Sequence, residues 1–98
     1  MHIITKKRLE EFWFVHHESE SALMNWFKVS RKASWRNLVE VKADFPHAEM
    51  VSECIVFNVG GNKCRLIVKV KFRAKVIFVR FVLTHGEYDK DKWKQDCC

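Results

Sequence analysis

No stretch of this 98-residue chain approaches the roughly 18 apolar residues of a membrane span. The opening, MHIITKKRLEEF, lacks the apolar core of a secretory leader. A cytosolic protein is therefore expected, and its four cysteines are expected to be thiols. No cysteine pair has zinc-type spacing with matching histidines, so no metal site and no cofactor are predicted. Cys97 and Cys98 do not form a prenylation box. Repeats, low-complexity tracts and long linkers are also missing, so residues 1–98 read as one domain.

What the chain does have is core material and positive charge. Hydrophobic residues make up 48% and charged residues 31%, a balance that suits a folded soluble domain. Eight Phe and four Trp supply large side chains for a core. The net charge of +6 suits nucleic acid, an acidic protein or an anionic membrane surface, and does not choose among them.

The first half reads as helical. His2-Ile3-Ile4 is a candidate short strand, and Thr5 a candidate N-cap. Leu9, Phe12, Trp13 and His16 follow at helical spacing. Ser19 or Ser21 can cap a second helix carrying Leu23, Trp26 and Phe27. Two amphipathic helices on a short connection predict an antiparallel helical hairpin with its aromatics in the core. Lys28, Arg31, Lys32 and Arg36 gather near its end, either as a solvated helix terminus or as phosphate contacts. Asn37 caps a short helix over Leu38–Asp44, which Phe45-Pro46 stops. Residues 47–52 read as a strand or loop.

The second half reads as a sheet. Two β-branched runs in VFNVGGNKCRLIVKVK flank Gly60-Gly61 as the turn of a hairpin. With those two glycines as the loop, Phe57 faces Cys64, Asn58 faces Lys63, Val56 faces Arg65 and Cys54 faces Ile67. A turn at Arg73-Ala74 starts a third strand, Lys75–Leu83, setting Val70 against Ile77, Val68 against Val79 and Leu66 against Phe81. By strand alternation one face collects Ile55, Phe57, Cys64, Leu66, Val68, Val70, Phe72, Ile77, Val79, Phe81 and Leu83. This face is for burial under the helices, giving an α+β sandwich. The other collects Val56, Asn58, Lys63, Arg65, Ile67, Lys69, Lys71, Phe78, Arg80 and Val82. Five cations without an acid on one sheet face point to an anionic ligand, since a solvated face mixes signs. Thr84 and Glu87 then have capping-box spacing for a short C-terminal helix. His85, Tyr88 and Asp89 follow beside the cationic face, and Trp93 is placed to dock.

The motifs Phe57-Asn58-x-x-Gly61-Asn62-x-x-Arg65-Leu66 and Thr84-His85-x-Glu87-Tyr88-Asp89 together resemble the HigB toxins of bacterial toxin–antitoxin pairs. Leu9, Phe12-Trp13, His16, Leu23, Trp26, Trp35 and Phe45-Pro46 fit the same pattern, so the resemblance covers nearly the whole chain. It departs at Cys64, where Tyr is usual, and at Leu83, where Gly is usual. The resemblance implies a RelE/ParE-like fold, with an N-terminal helical hairpin on one face of a mostly antiparallel sheet and a short C-terminal helix. It implies an endoribonuclease, an mRNA interferase acting on translated messages on the ribosome. It also implies a HigA-type antitoxin partner, through which operator DNA is bound indirectly, and no membrane.

Metal-free RNA cleavage needs a base for the substrate 2′-OH, positive charge on the phosphoryl oxygens and an acid for the leaving 5′-oxygen. Arg65 and Arg80 are the candidates for the phosphate, because a guanidinium grips two oxygens at once. Arg65 also resembles the arginine on the central strand of RelE-like toxins. His85 is the acid–base candidate, as imidazole exchanges protons near neutral pH. Tyr88 is placed to stack on a base or assist proton transfer. Asn58, Lys63, Lys69, Lys71 and Asp89 complete the expected RNA-binding set, Asp89 also being able to orient His85. The same architecture serves gyrase-directed ParE toxins. The sequence is compatible, too, with a non-catalytic RNA-binding module and with an inactive corepressor.

Overall fold

The computed structural model describes residues 1–61, 64–90 and 93–94. Strand β1 (His2–Ile4) leads into α1 (Lys6–Val15), a 3-10 turn at His17–Ser19, α2 (Glu20–Lys32) and α3 (Leu38–Asp44). Strands β2 (Glu49–Val51), β3 (Cys54–Val59), β4 (Cys64–Lys71) and β5 (Val76–Thr84) follow, and then α4 (His85–Asp89). This is an α+β chain with one mixed five-stranded sheet, ordered β1-β5-β4-β3-β2. β1 runs parallel to β5; every other neighbouring pair is antiparallel. No described helix is long and apolar enough to cross a membrane.

Capping follows the sequence in part. Asn37 Oδ1 accepts from the Glu40 N–H at 3.0 Å, as its position before α3 predicts. Thr5 and Ser19 occupy N-cap positions, but neither side chain caps its helix. Capping needs an extended backbone at that residue. Thr5 is left-handed, with φ 74°, and Ser19 is already helical because the 3-10 turn runs straight into α2.

The first hairpin differs from the expected register. Val59 pairs with Cys64, Asn58 with Arg65, Phe57 with Leu66 and Val56 with Ile67. The last pair of the hairpin is thus Val59–Cys64 rather than the expected pairing directly beside the two glycines. Gly60 and Gly61 both take positive φ, 65° and 68°, as turn glycines do at no steric cost. The slip is even, so every side chain keeps its face. Its effect is to bring Asn58 directly opposite Arg65.

The second departure lies in β5. Val70 pairs with Ile77 and Val68 with Val79, as expected, but Leu66 pairs with Val82 and Ile67 with Phe81. A β-bulge at this step leaves Arg80 without a rung of its own. One extra residue reverses the alternation beyond it. Phe81 and Leu83 therefore turn away from the helices, whereas Val82, expected outside, packs against the main core.

That core lies between the sheet and the helices. Leu9, Leu23, Trp26 and Val41 meet Ile55, Phe57, Leu66, Val68, Ile77 and Val79, all essentially sealed from solvent. Phe57 is its hub, edge-on to Trp26 at 5.4 Å and to Phe45 at 5.2 Å, and stacked on Trp35 at 6.5 Å. Such offset and edge contacts are the favoured aromatic geometries. Of the helical aromatics, Trp26 is buried and Phe12, Trp13 and Phe27 pack partly buried against this core, as predicted, whereas Phe14 is exposed. Of the basic residues near the end of α2, Arg36 is taken by Glu40, with Nε and Nη2 at 2.9 and 2.8 Å from the same carboxylate oxygen.

Candidate nucleic-acid interface

The outward face of β4 carries Arg65, Ile67, Lys69 and Lys71, and part of it is closed to solvent rather than open to an anionic ligand as expected. Ile67 is completely buried, in a second apolar cluster with Cys54, Val56 and Trp93, flanked by Val51, Phe81, Leu83 and Tyr88. The reversal of β5 delivers Phe81 and Leu83 to this cluster, and Trp93 covers it. The signal was in the sequence: Val56 and Ile67 are apolar at outward positions and call for a cover. Cys54 is disulfide-bonded, which corrects the expectation of thiols throughout. Cys64 is a free thiol on the core side, and burial pushes its pKa up to about 11.

Beside this cluster the candidate residues come together around Arg65. Arg65 Nη1 donates to Asn58 Oδ1 at 2.7 Å. The guanidinium carbon lies 5.5 Å from the centre of the Tyr88 ring, within cation–π range. Tyr88 is carried there by α4, which opens where β5 ends. Thr84 Oγ1 accepts from the Glu87 N–H at 3.2 Å, and Glu87 Oε1 accepts from the Thr84 N–H at 3.0 Å. This is the predicted capping box. The bond from the Thr84 N–H holds the Glu87 carboxyl below the usual carboxylate range, against a smaller opposing effect of burial. Glu87 thus serves the helix. One turn apart on α4, His85 Nε2 lies 3.4 Å from Asp89 Oδ2, both side chains more than half exposed.

The remaining candidates are less central. Lys69 is not a free cation: its Nζ lies 3.2 Å from Glu53 Oε2, an acid reaching in from the β2–β3 turn that the expected face did not include. Arg80 sits at the bulge with an exposed side chain, and its carbonyl accepts from Arg8 Nη1 at 2.6 Å. Lys71 is exposed at the far end of β4, six residues or about 20 Å along the strand from Arg65. Lys63 and Asn62 lie outside the described residues, as do Cys97 and Cys98. Among the described residues, no carboxylate lies within ion-pair distance of Arg65. Its partners among the described residues, Asn58 and Tyr88, are both neutral.

Fold and face define a class: small basic α+β domains that hold an arginine on the outward face of a sheet, away from the helices. The chain belongs to the HigB toxin family. The profile of that family, described as the RelE-like toxic component of a toxin–antitoxin system, matches residues 19–91. The chain is 32% identical over 92 residues to the mRNA interferase toxin HigB of Escherichia coli K12, covering 91% of this chain and 88% of that protein. It is equally similar, over the same shares, to the mRNA interferase HigB of Shigella flexneri. With the mRNA interferase HigB of Escherichia coli O6:H1 it shares 31% identity over 93 residues, covering 92% and 90%.

Proposed function

We propose that this chain is an endoribonuclease toxin that cuts messenger RNA during its translation and is silenced by a HigA-type antitoxin. Its elements take a RelE-like arrangement and act as one domain, in the cytoplasm. Operator DNA is reached through the antitoxin. The observation that carries the reading is Arg65, held by Asn58 and Tyr88 with no carboxylate on it among the described residues. Among the described residues only Nη1 of Arg65 is hydrogen-bonded, to Asn58, which leaves the Nε/Nη2 edge for two phosphoryl oxygens.

In the reaction the substrate 2′-OH attacks the adjacent phosphorus, and the bond to the 5′-oxygen breaks. Arg65 takes the negative charge that grows on the phosphoryl oxygens. His85 takes the proton of the 2′-OH and passes it to the departing 5′-oxygen, and Asp89 on its Nε2 leaves Nδ1 for the substrate. Tyr88 and Asn58 hold the guanidinium in register. Lys69 and Lys71 contact flanking phosphates, with Lys69 weakened by Glu53.

The test is induction of the chain in cells, with primer extension on a translated message and on the same message lacking its start codon. Cuts confined to the translated message are expected. Arg65→Ala is expected to lower cleavage by about 10²–10³, the scale of losing one oxyanion-stabilising donor, and His85→Ala to impair it while leaving the fold intact. Growth arrest with intact RNA would move the activity to another target, and a folded Arg65→Ala that cuts normally would remove Arg65 from the site.

A further inference from the structure

Trp93 lies outside every group of residues assigned to the chemistry, yet it is built into the site. It is only 3% exposed, although it stands beyond the last helix. It packs on the outward side of the sheet with Ile67, Cys54 and Val56. Its ring stacks on Tyr88, with centroids 5.1 Å apart and planes 18° from parallel. Its Nε1 donates to the Tyr88 carbonyl at 3.0 Å. One indole thus holds both the ring and the backbone of the residue that meets the Arg65 guanidinium.

We infer that Trp93 is a positioning residue: through its stack on Tyr88 it sets the place of Arg65 on the phosphate. The inference rests on the reading of Arg65 as the phosphate-binding group. Near-parallel stacking and a hydrogen bond remove the freedom of the Tyr88 ring to swing off the sheet. The guanidinium then has a fixed wall on one side and Asn58 on the other. A misplacement on the order of 1 Å at such a group is enough for about a 10²-fold loss of rate. Apolar filling alone would not require the flat stack or the N–H donor, so the two roles separate in variants.

The experiment compares Trp93→Leu, which keeps apolar bulk, with Trp93→Phe, which keeps a stacking ring. Cleavage is measured with the parent and Arg65→Ala alongside, and circular dichroism confirms that each variant is folded. Tyr88 is the only tyrosine, so its ring resonances report the stack without ambiguity. In the parent they are expected upfield, under the indole ring current. Trp93→Leu is expected to lose that shift and to cut at least tenfold more slowly, the loss falling on kcat. Trp93→Phe is expected to recover most of both. A folded Trp93→Leu that loses the Tyr88 shift but cuts like the parent overturns the inference, as does equal rescue by Leu and Phe. A parent and Arg65→Ala that behave alike overturn the functional reading instead, and the inference with it.

Discussion

Glu87 is hydrogen-bonded to the Thr84 N–H in the folded chain, and its carboxyl is held low there. Arg36 holds the Glu40 carboxyl low in the same way, through a side-chain hydrogen bond first. A depressed folded pKa contributes stability above the unfolded value, about 4.3 for Glu, and that stability is lost as pH falls through the folded value. Glu87→Gln keeps a hydrogen-bonding carbonyl but cannot titrate. Its thermal melts are expected to lose part of the parent's decline below about pH 4; an identical decline would assign acid sensitivity to other groups. Cys64 titrates the other way. Burial raises its thiol to about 11, so iodoacetamide at pH 8 is expected to leave it unmodified until the chain unfolds, because the thiolate is the reactive form. Labelling at the rate of the denatured control would show the site to be open.

The bulge in β5 is the element on which the outer face depends. Without it Val82 and Thr84 would trade places with Phe81 and Leu83, and α4 would start from the wrong side of the sheet. Deleting Arg80 is therefore expected to abolish the fold, read as loss of dispersed amide resonances. Arg80→Ala, which keeps the chain length, is expected to fold and to lose far less cleavage than Arg65→Ala. A well-folded deletion would show that the register adapts. Much of this architecture is legible in the sequence: the helical hairpin, the β-rich second half, Asn37 capping Leu38–Asp44 and the Thr84–Glu87 box are local patterns. The Val59–Cys64 register is not, because Gly-Gly signals a turn without fixing where pairing resumes. Nor is the bulge, since Val79 to Leu83 is apolar on both parities apart from Arg80 and no alternation marks the extra residue. At the site, Arg65, Asn58 and Tyr88 are found by face and motif. Glu53 escapes such a reading because a turn residue has no face until the turn is built.

Across the whole molecule, the excess of positive charge predicts RNA binding that weakens with salt, by a slope near −0.7 for each phosphate neutralised on a single strand. The contributions are not equal. Arg65 has neutral partners, whereas Lys69 already holds Glu53. Anisotropy titrations with a short single-stranded RNA are expected to show a slope reduced by about 0.7 for Arg65→Ala and by less for Lys69→Ala. Equal reductions would mean that Glu53 leaves when RNA arrives.

The pairing of His2, Ile3 and Ile4 with Val76, Ile77 and Phe78 orders the birth of the molecule. The first strand made has to wait for the last one, and Tyr88 and Trp93 come later still. Chains stalled before Val76 are expected to be digested readily by protease, and resistance would show that the fold does not need the β1–β5 pairing. A nascent chain has no finished face around Arg65 until β5, Tyr88 and Trp93 have been added.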